Sequence, residues 1–321
     1  MAEQFAIRHR VPKAYTDFTR LLAEVEPDVV HVTCPPQLHH ELAIQSMEAG
    51  SHVLVEKPLT IDLSLACDVL ETAQRLKKKL TVAWGYYFDP VMRSLRRIAK
   101  KELLGEIVHL ESFLSYDLKS NFGRSMLADS HHWIHSLPAG LFQNNLDHLI
   151  NAVCEFVKDA DPVVCARAWH SPRLWEEPDL ADELRVSVFG TKVSANITFS
   201  SHCRPVSHYL FVHGTRGYAF VDLTNQMLTT SCSSSFPGAL GRLTRSGKTA
   251  MQSGLQAWTN FIRLFRSELH YAAGMNFLIA AFYESIVLDL PVPISHDHLR
   301  RVSCLMDSVV AQINPTLALS K

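Results

Sequence analysis

Between Asp28 and Trp84 the chain alternates between short β-branched runs and stretches of helical spacing, and this alternation restricts the fold more than any other feature. DVVHVT (Asp28–Thr33) predicts a buried strand that ends at Pro35–Pro36. Leu38, Leu42, Ala43, Met47 and Ala49 then fall at helical spacing, with Gly50 as the stop. HVLV (His52–Val55) predicts a second strand, ended by Glu56–Lys57–Pro58. A helix with Asp62 at its start and Leu65, Ala66, Val69, Leu70, Ala73 and Leu76 on one face leads to a third strand, Leu80–Trp84. Strands separated by helices of this length pair in parallel, because only a crossover returns the chain to the same sheet edge.

Downstream the pattern changes. The alternating stretch Gly105–Leu118 is followed by strand candidates at Pro162–Trp169, Glu183–Phe189, Lys192–Phe199, His208–Val212 and Tyr218–Leu223. Turns at Gly190–Thr191 and Gly214–Gly217 separate them, so an open antiparallel sheet is expected. One helix, about Ala139–Val157, interrupts this series, and Gln252–Ile313 reads as mostly helical. The Ser- and Gly-rich stretch Ser231–Lys248 is expected to be a mobile loop. These patterns divide the chain into a nucleotide-binding-type unit at 1–100 and an α+β unit at 101–321.

Ligands of doubly wound sheets bind beyond the carboxyl ends of the strands, which is where Thr33–Cys34–Pro35 and Glu56–Lys57–Pro58 fall. Lys57 follows a buried strand and precedes a proline, so its base is fixed while its amine reaches the crevice. Partial desolvation of such an amine makes it a proton donor and acceptor near neutrality. A surface lysine at a strand end is the bland alternative.

The string VVHVTCPPQLHHELAIQSMEAGSHVLVEKPLT resembles a segment of the glucose–fructose oxidoreductase/inositol dehydrogenase (Gfo/Idh/MocA) family, running to the strand that ends in Glu–Lys–Pro. WGYYFDPVMRSLRRI is similar to that family's next strand and linking helix, and PVPISHDHLRRVSCLMD extends the likeness towards the C-terminus. PAGLFQNNLDHLINAV (Pro138–Val153) is similar to its helix carrying an acid and, four residues on, a histidine. The resemblance implies a nicotinamide cofactor, NAD or NADP, bordered by Thr33, Cys34, Pro35, His39, Glu56, Lys57 and Pro58. It implies hydride transfer to or from a carbinol of a polyol, sugar or cyclitol, with Lys57, His148 and Asn144 as catalytic residues. Asn144 departs from the usual Asp and cannot take a proton, leaving the acid–base work to Lys57 and His148. Tyr86, Tyr87, Trp133 and Gln143 are placed around the substrate, with packing as the alternative for the aromatic side chains. By the same resemblance the sheet faces pair, giving a homo-oligomer, a dimer or tetramer.

No GxGxxG phosphate loop occurs in the 321 residues; GTRG (Gly214–Gly217) reads as a turn between strands. The opening MAEQFAIRHRVPKAYTDFTRLL resembles the family's helix after its second strand and a short Tyr–Thr–Asp strand. The expectation is an incomplete Rossmann-type sheet whose strand at Asp28–Thr33 has an open edge. A non-catalytic subunit or binding module of this fold, without cofactor binding, is the rival reading.

Net charge is −1, so no basic field is available for nucleic acid or an anionic membrane. No run approaches the ~18 apolar residues of a membrane span. Seven widely spaced cysteines without CxxC suit a reducing, cytoplasmic setting better than disulfides. HHWIH (His131, His132, His135) has helical metal-ligand spacing but no matching carboxylate or cysteine close by, so no metal is expected. His296 and His298, flanking Asp297, are expected at the surface or in a helix cap.

Overall fold

The protein is described from a computed structural model covering residues 2–129, 131–174, 180–232, 236, 238–270 and 272–319. Helices α1 (Ala2–His9) and α2 (Phe18–Val25) precede the first strand. The expected strand at Tyr15–Asp17 does not form. Asp17 instead caps α2, its carboxylate accepting from Arg20 N, a local bond of about 1 kcal/mol.

Strands β1 (Val29–Val32), β2 (His52–Val55) and β3 (Leu80–Val82) form a parallel sheet in the order β1-β2-β3. Their crossovers are α3 (His39–Glu48) and α4 (Leu63–Arg75). Gly50, at φ +100°, takes the left-handed turn after α3, and Asp62 caps α4 by accepting from Leu65 N. Val53, Val55, Leu80 and Val82 are buried against Ala43, Met47, Val69 and Leu70 of the two helices. Among the described residues β1 is the edge strand of this sheet.

Helix α5 (Pro90–Lys100) leads to β4 (Ile107–Ser115), then α6 (Asn121–Ala128) and α7 (Gly140–Cys154). Next come β5 (Val163–Trp169), β6 (Glu183–Phe189), β7 (Ser194–Ser200), β8 (His208–Gly214), β9 (Gly217–Asp222) and β10 (Met227–Cys232). The seven strands lie in the order β10-β9-β8-β4-β7-β6-β5. The sheet is antiparallel except where β4 runs parallel to β7, so the all-antiparallel expectation holds for five of its six pairings. One face, with Leu110, Leu184, Val186, Ile197, Phe199, Leu210 and Val221, is buried under α7 and α10 (His296–Leu319), with α5 over its β9 end. The other face presents Phe113 stacked on Tyr209 at 4.7 Å, beside Phe211 and Phe220.

Helix α8 (Gly238–Phe265) occupies much of the stretch expected as a loop from Ser231 to Lys248, and Ser231–Cys232 complete β10. Residues 233–235 and 237 of that stretch lie outside the described residues. The helix is fastened to the sheet by polar groups: Gln252 Oε1 accepts from Thr230 N, and Asn260 Nδ2 donates to the Asn225 and Gln226 carbonyls. Helix α9 (Ala273–Val287) then returns to the first sheet, where Phe282 packs on Leu54 and Ala83. The chain after residue 101 therefore contributes to both layers. Lys79, beside β3, pairs with Asp289 just beyond α9 at 2.8 Å.

Candidate active site

The carboxyl ends of β1 and β2 lie side by side, since Val32 pairs with Val55. Thr33 and Pro35 are exposed at this rim and Cys34 is half-buried, its thiol pushed up by desolvation. His39 lies beneath this rim, between two of the other residues expected to border the cofactor. It is fully buried, with Nδ1 2.8 Å from the Pro58 carbonyl and Nε2 2.9 Å from the Cys34 carbonyl. Its ring ties the two strand-end loops together.

Lys57 leaves the end of β2 before a cis peptide to Pro58. Its Nζ donates to Asn144 Oδ1 and to the Asn144 carbonyl, both at 2.8 Å. Burial lowers the pKa of this amine; the Asp147 and Glu56 carboxylates act in the opposite sense. Two of the three ammonium N–H bonds are thus used, leaving one for a substrate oxygen.

Asn144 and His148 share a face of α7. Every residue of that helix is buried except Gly140, Asn144 and His148, so an i, i+4 stripe is all the helix opens outward. Burial above all, with smaller contributions from Lys57 and His208, holds His148 well below the usual imidazole range. The ring is neutral at pH 7 and able to accept a proton. Tyr86 stands edge-on to it at 5.0 Å and edge-on to His208 at 5.1 Å on its other side.

The remaining expected residues separate into two groups. Tyr86 stands at this centre, and Trp133 reaches its border: the Trp133 carbonyl accepts from Gln37 Nε2 at 3.1 Å, joining the α6–α7 connection to the β1 loop. Tyr87 and Gln143 are placed as supports. The Tyr87 ring lies under the Arg96 guanidinium at 3.7 Å and its hydroxyl is pushed up to about 12 by burial. Gln143 is fully buried, accepting from Ala139 N and donating to the Ile61 carbonyl, which fixes the start of α7 against the loop before α4.

Of the histidine group, His135 Nε2 lies 2.9 Å from the Met126 carbonyl and His132 Nδ1 accepts from Ile134 N. Among the described residues no three metal-ligating side chains converge. The surface expectation for His298 is corrected: its side chain is buried, 2.6 Å from Asn151 Oδ1 and edge-on to Trp84, and burial brings it down to about 3. It packs inward because α10 covers α7 at its first turn.

Sequence reasoning missed Asp147, whose carboxylate accepts from Trp84 Nε1. It is 2% exposed and its pKa is raised by burial to about 6. It also missed His208, Asp89 and Gln226, which gather beyond Tyr86 from β8, the start of α5 and the β9–β10 turn. Spacing along the chain carries no signal for a cluster assembled from elements more than a hundred residues apart.

Residues 1–84 match the family model GFO_IDH_MocA, described as an oxidoreductase family with an NAD-binding Rossmann fold. The chain is 32% identical over 106 residues to D-glucoside 3-dehydrogenase of Escherichia coli, covering 33% of this chain and 30% of the relative. The chain matches about a third or less of the length of this and similar curated relatives, 27% for one and 35% for another. In three dimensions an NAD-binding oxidoreductase from Klebsiella pneumoniae superposes with a TM-score of 0.75 at 18% identity, covering 98% of this chain and 86% of that one. Levoglucosan dehydrogenase, solved with NADH and levoglucosan, gives 0.73 at 17% identity over 100% of this chain and 86% of its own. Both arrangements of parallel and mixed sheets are therefore the same fold.

Proposed function

We propose that the chain, whose residues 1–84 match the Gfo/Idh/MocA oxidoreductase family model, transfers a hydride between NAD or NADP and a carbinol of a sugar, cyclitol or related polyol. One observation carries the reading: the strand-end amine of Lys57 meets the single open stripe of α7 at Asn144, with His148 one turn further on. The rim fits the nicotinamide half of the cofactor, since the exposed Thr33 hydroxyl and Pro35 ring lie beside the loop that bears Lys57. When bound there, nicotinamide supplies the hydride acceptor or donor.

The residues of the chain handle the proton. In oxidation, the uncharged Lys57 amine takes the hydroxyl proton while the carbinol C–H bond breaks and its electron pair leaves as hydride, giving a carbonyl. Desolvation favours the uncharged amine that this step needs, and Asn144 orients it without competing for the proton. His148, neutral and one turn away, hydrogen-bonds the substrate or relays the proton outward.

The test is titration of this chain with NAD(H) and NADP(H), followed by a polyol panel read at 340 nm. Micromolar cofactor binding with polyol-dependent reduction is the expected result. Saturable polyol binding without cofactor binding would instead favour the rival, a binding module, which the missing carboxylate at Asn144 supports.

Three further properties belong to this reading. All seven cysteines are free thiols, which supports a cytoplasmic location. No described helix is long and apolar enough to cross a membrane. The aromatic open face around Tyr209 and Phe211 supports a homo-oligomer in which two such faces pack together.

A further inference from the structure

On the side of Tyr86 away from His148 lies a cavity of about 440 Å³. That size is within the ~300–1,000 Å³ common for small-molecule sites. Its walls are apolar at Leu114, Val206 and Leu223, and polar at Asp89, His208 and Gln226.

Among the described residues, one atom of each of two of these polar groups lacks a hydrogen-bond partner. His208 is 7% exposed and its Nδ1 meets no hydrogen-bonding group. Gln226 Nε2 donates to Asp89 Oδ2 at 2.8 Å and to the Leu223 carbonyl at 2.9 Å, which fixes the amide and leaves Oε1 buried and unpaired. Buried polar atoms are normally satisfied, so two orphans on one cavity wall mark places where a ligand supplies the missing bonds. The charge of the wall restricts that ligand. Burial raises Asp89 to about 6 and lowers His208 to about 4, so near neutrality the imidazole is uncharged and the carboxyl is largely anionic. Among the described residues no lysine or arginine lines the cavity, and His270 stands on its wall. The nearest cation on α5, Arg93, is stacked on the Phe277 ring at 4.1 Å.

We propose that this cavity is a subsite for an uncharged, hydroxyl-bearing part of the substrate, gripped by His208, Gln226 and Asp89, and closed to phosphorylated or nucleotide-linked compounds. Hydroxyls donate to Gln226 Oε1 and Asp89 and bond His208 Nδ1, while the C–H face of a ring lies on Leu114 and Leu223. A phosphate would meet the Asp89 carboxylate, and Arg93, the cation that reaches that carboxylate, is engaged on the Phe277 ring. The orientation of the ligand rests on the hydride-transfer reading of Lys57, since Tyr86 joins the two places; its binding does not.

The experiment uses the full chain without nucleotide, by saturation-transfer NMR and calorimetry, with myo-inositol, methyl β-glucoside, glucose 6-phosphate and UDP-N-acetylglucosamine as probes. The two uncharged probes are expected to bind at least tenfold more tightly than the two anionic ones. Gln226→Leu, and separately Val206→Trp at the half-exposed mouth, are each expected to weaken them tenfold or more. Val206→Trp keeps the test decisive where Gln226→Leu disturbs folding. Preferred binding of glucose 6-phosphate, binding of no probe at its solubility limit, or uncharged binding unchanged in both variants would overturn the subsite. Where polyols bind and respond to both variants yet no nucleotide supports turnover, the subsite stands and the hydride-transfer reading falls. Where turnover proceeds and both variants keep the wild-type KM, the subsite falls and that reading stands.

Discussion

The Lys57 ammonium is held by both the side-chain and the main-chain oxygen of Asn144, each at 2.8 Å, so one residue of α7 fixes the amine twice. Removing the amine tests its role most directly. Lys57→Ala is expected to lower kcat for polyol oxidation by about 10²–10⁴, the range of general acid–base catalysis, with cofactor Kd within twofold of wild type. Unchanged turnover would take Lys57 out of the mechanism.

Asn144→Asp places a carboxylate where Lys57 now meets an amide. An opposite charge at that distance favours the ammonium and raises the pKa of the amine. Oxidation needs the neutral amine, so the rising limb of the kcat/KM–pH profile is expected to move about one to three pH units upward. A limb that stays in place means another group titrates there.

Asp147 makes a claim on stability. Its folded pKa is raised to about 6 from 3.8, so the protonated form is favoured on folding. That contribution is complete below the unfolded pKa and is lost as pH rises through the folded value. Asp147→Asn keeps an acceptor for Trp84 Nε1 and abolishes the titration. The variant is expected to match wild type in Tm near pH 4 after allowance for a constant offset, and to gain roughly 1–3 kcal/mol relative to it by pH 7.5. Parallel Tm–pH curves for the two proteins would contradict this.

Arg96 binds Glu155 through two bonds of 2.6 and 2.9 Å while covering the Tyr87 ring. Both partners are largely shielded from solvent, so breaking the pair leaves an unpaired charge. Glu155→Ala is expected to cost about 3 kcal/mol in denaturant unfolding. A loss below ~1 kcal/mol would mark it as an ordinary surface pair.

The open sheet face gives a prediction about assembly. Tyr209→Lys with Phe211→Lys puts two charges among stacked rings. Light scattering is expected to report a dimer or larger species for the wild type and a dissociation constant at least tenfold higher for the double variant. A wild type that stays monomeric at tens of micromolar would remove the oligomer from the reading.

How much of this was legible in the sequence depends on how far apart the interacting residues lie. His52–Val55 and Glu183–Phe189 form strands with the expected bounds, because period and β-branching are local signals. Lys57 was legible as a strand-end amine, whereas its role and the Asn144–His148 pair were expected only through the family resemblance. The Ser231–Lys248 stretch was misjudged because Ser and Gly predict a loop locally, whereas Gln252 and Asn260 tie α8 to β10 and its turn from further along. The parallel pairing of β4 with β7 joins strands some eighty residues apart, and no turn between them announces it. The orphaned Nδ1 of His208 is a fact about what surrounds it in space, and composition does not encode that.

The three-position opening of α7 has a consequence for how such a chain can change. Twelve of the fifteen positions in that helix are locked into the core, where a change of volume or polarity costs folding stability. Gly140 is held to glycine by its φ of +49°, whereas Asn144 and His148 are less enclosed, so new side chains at those two positions alter what the cleft accepts while the scaffold persists. The amide at 144, where the resemblance implies a carboxylate, is a difference of that kind: it changes the proton chemistry of the cleft while the buried positions of the helix stay as they are.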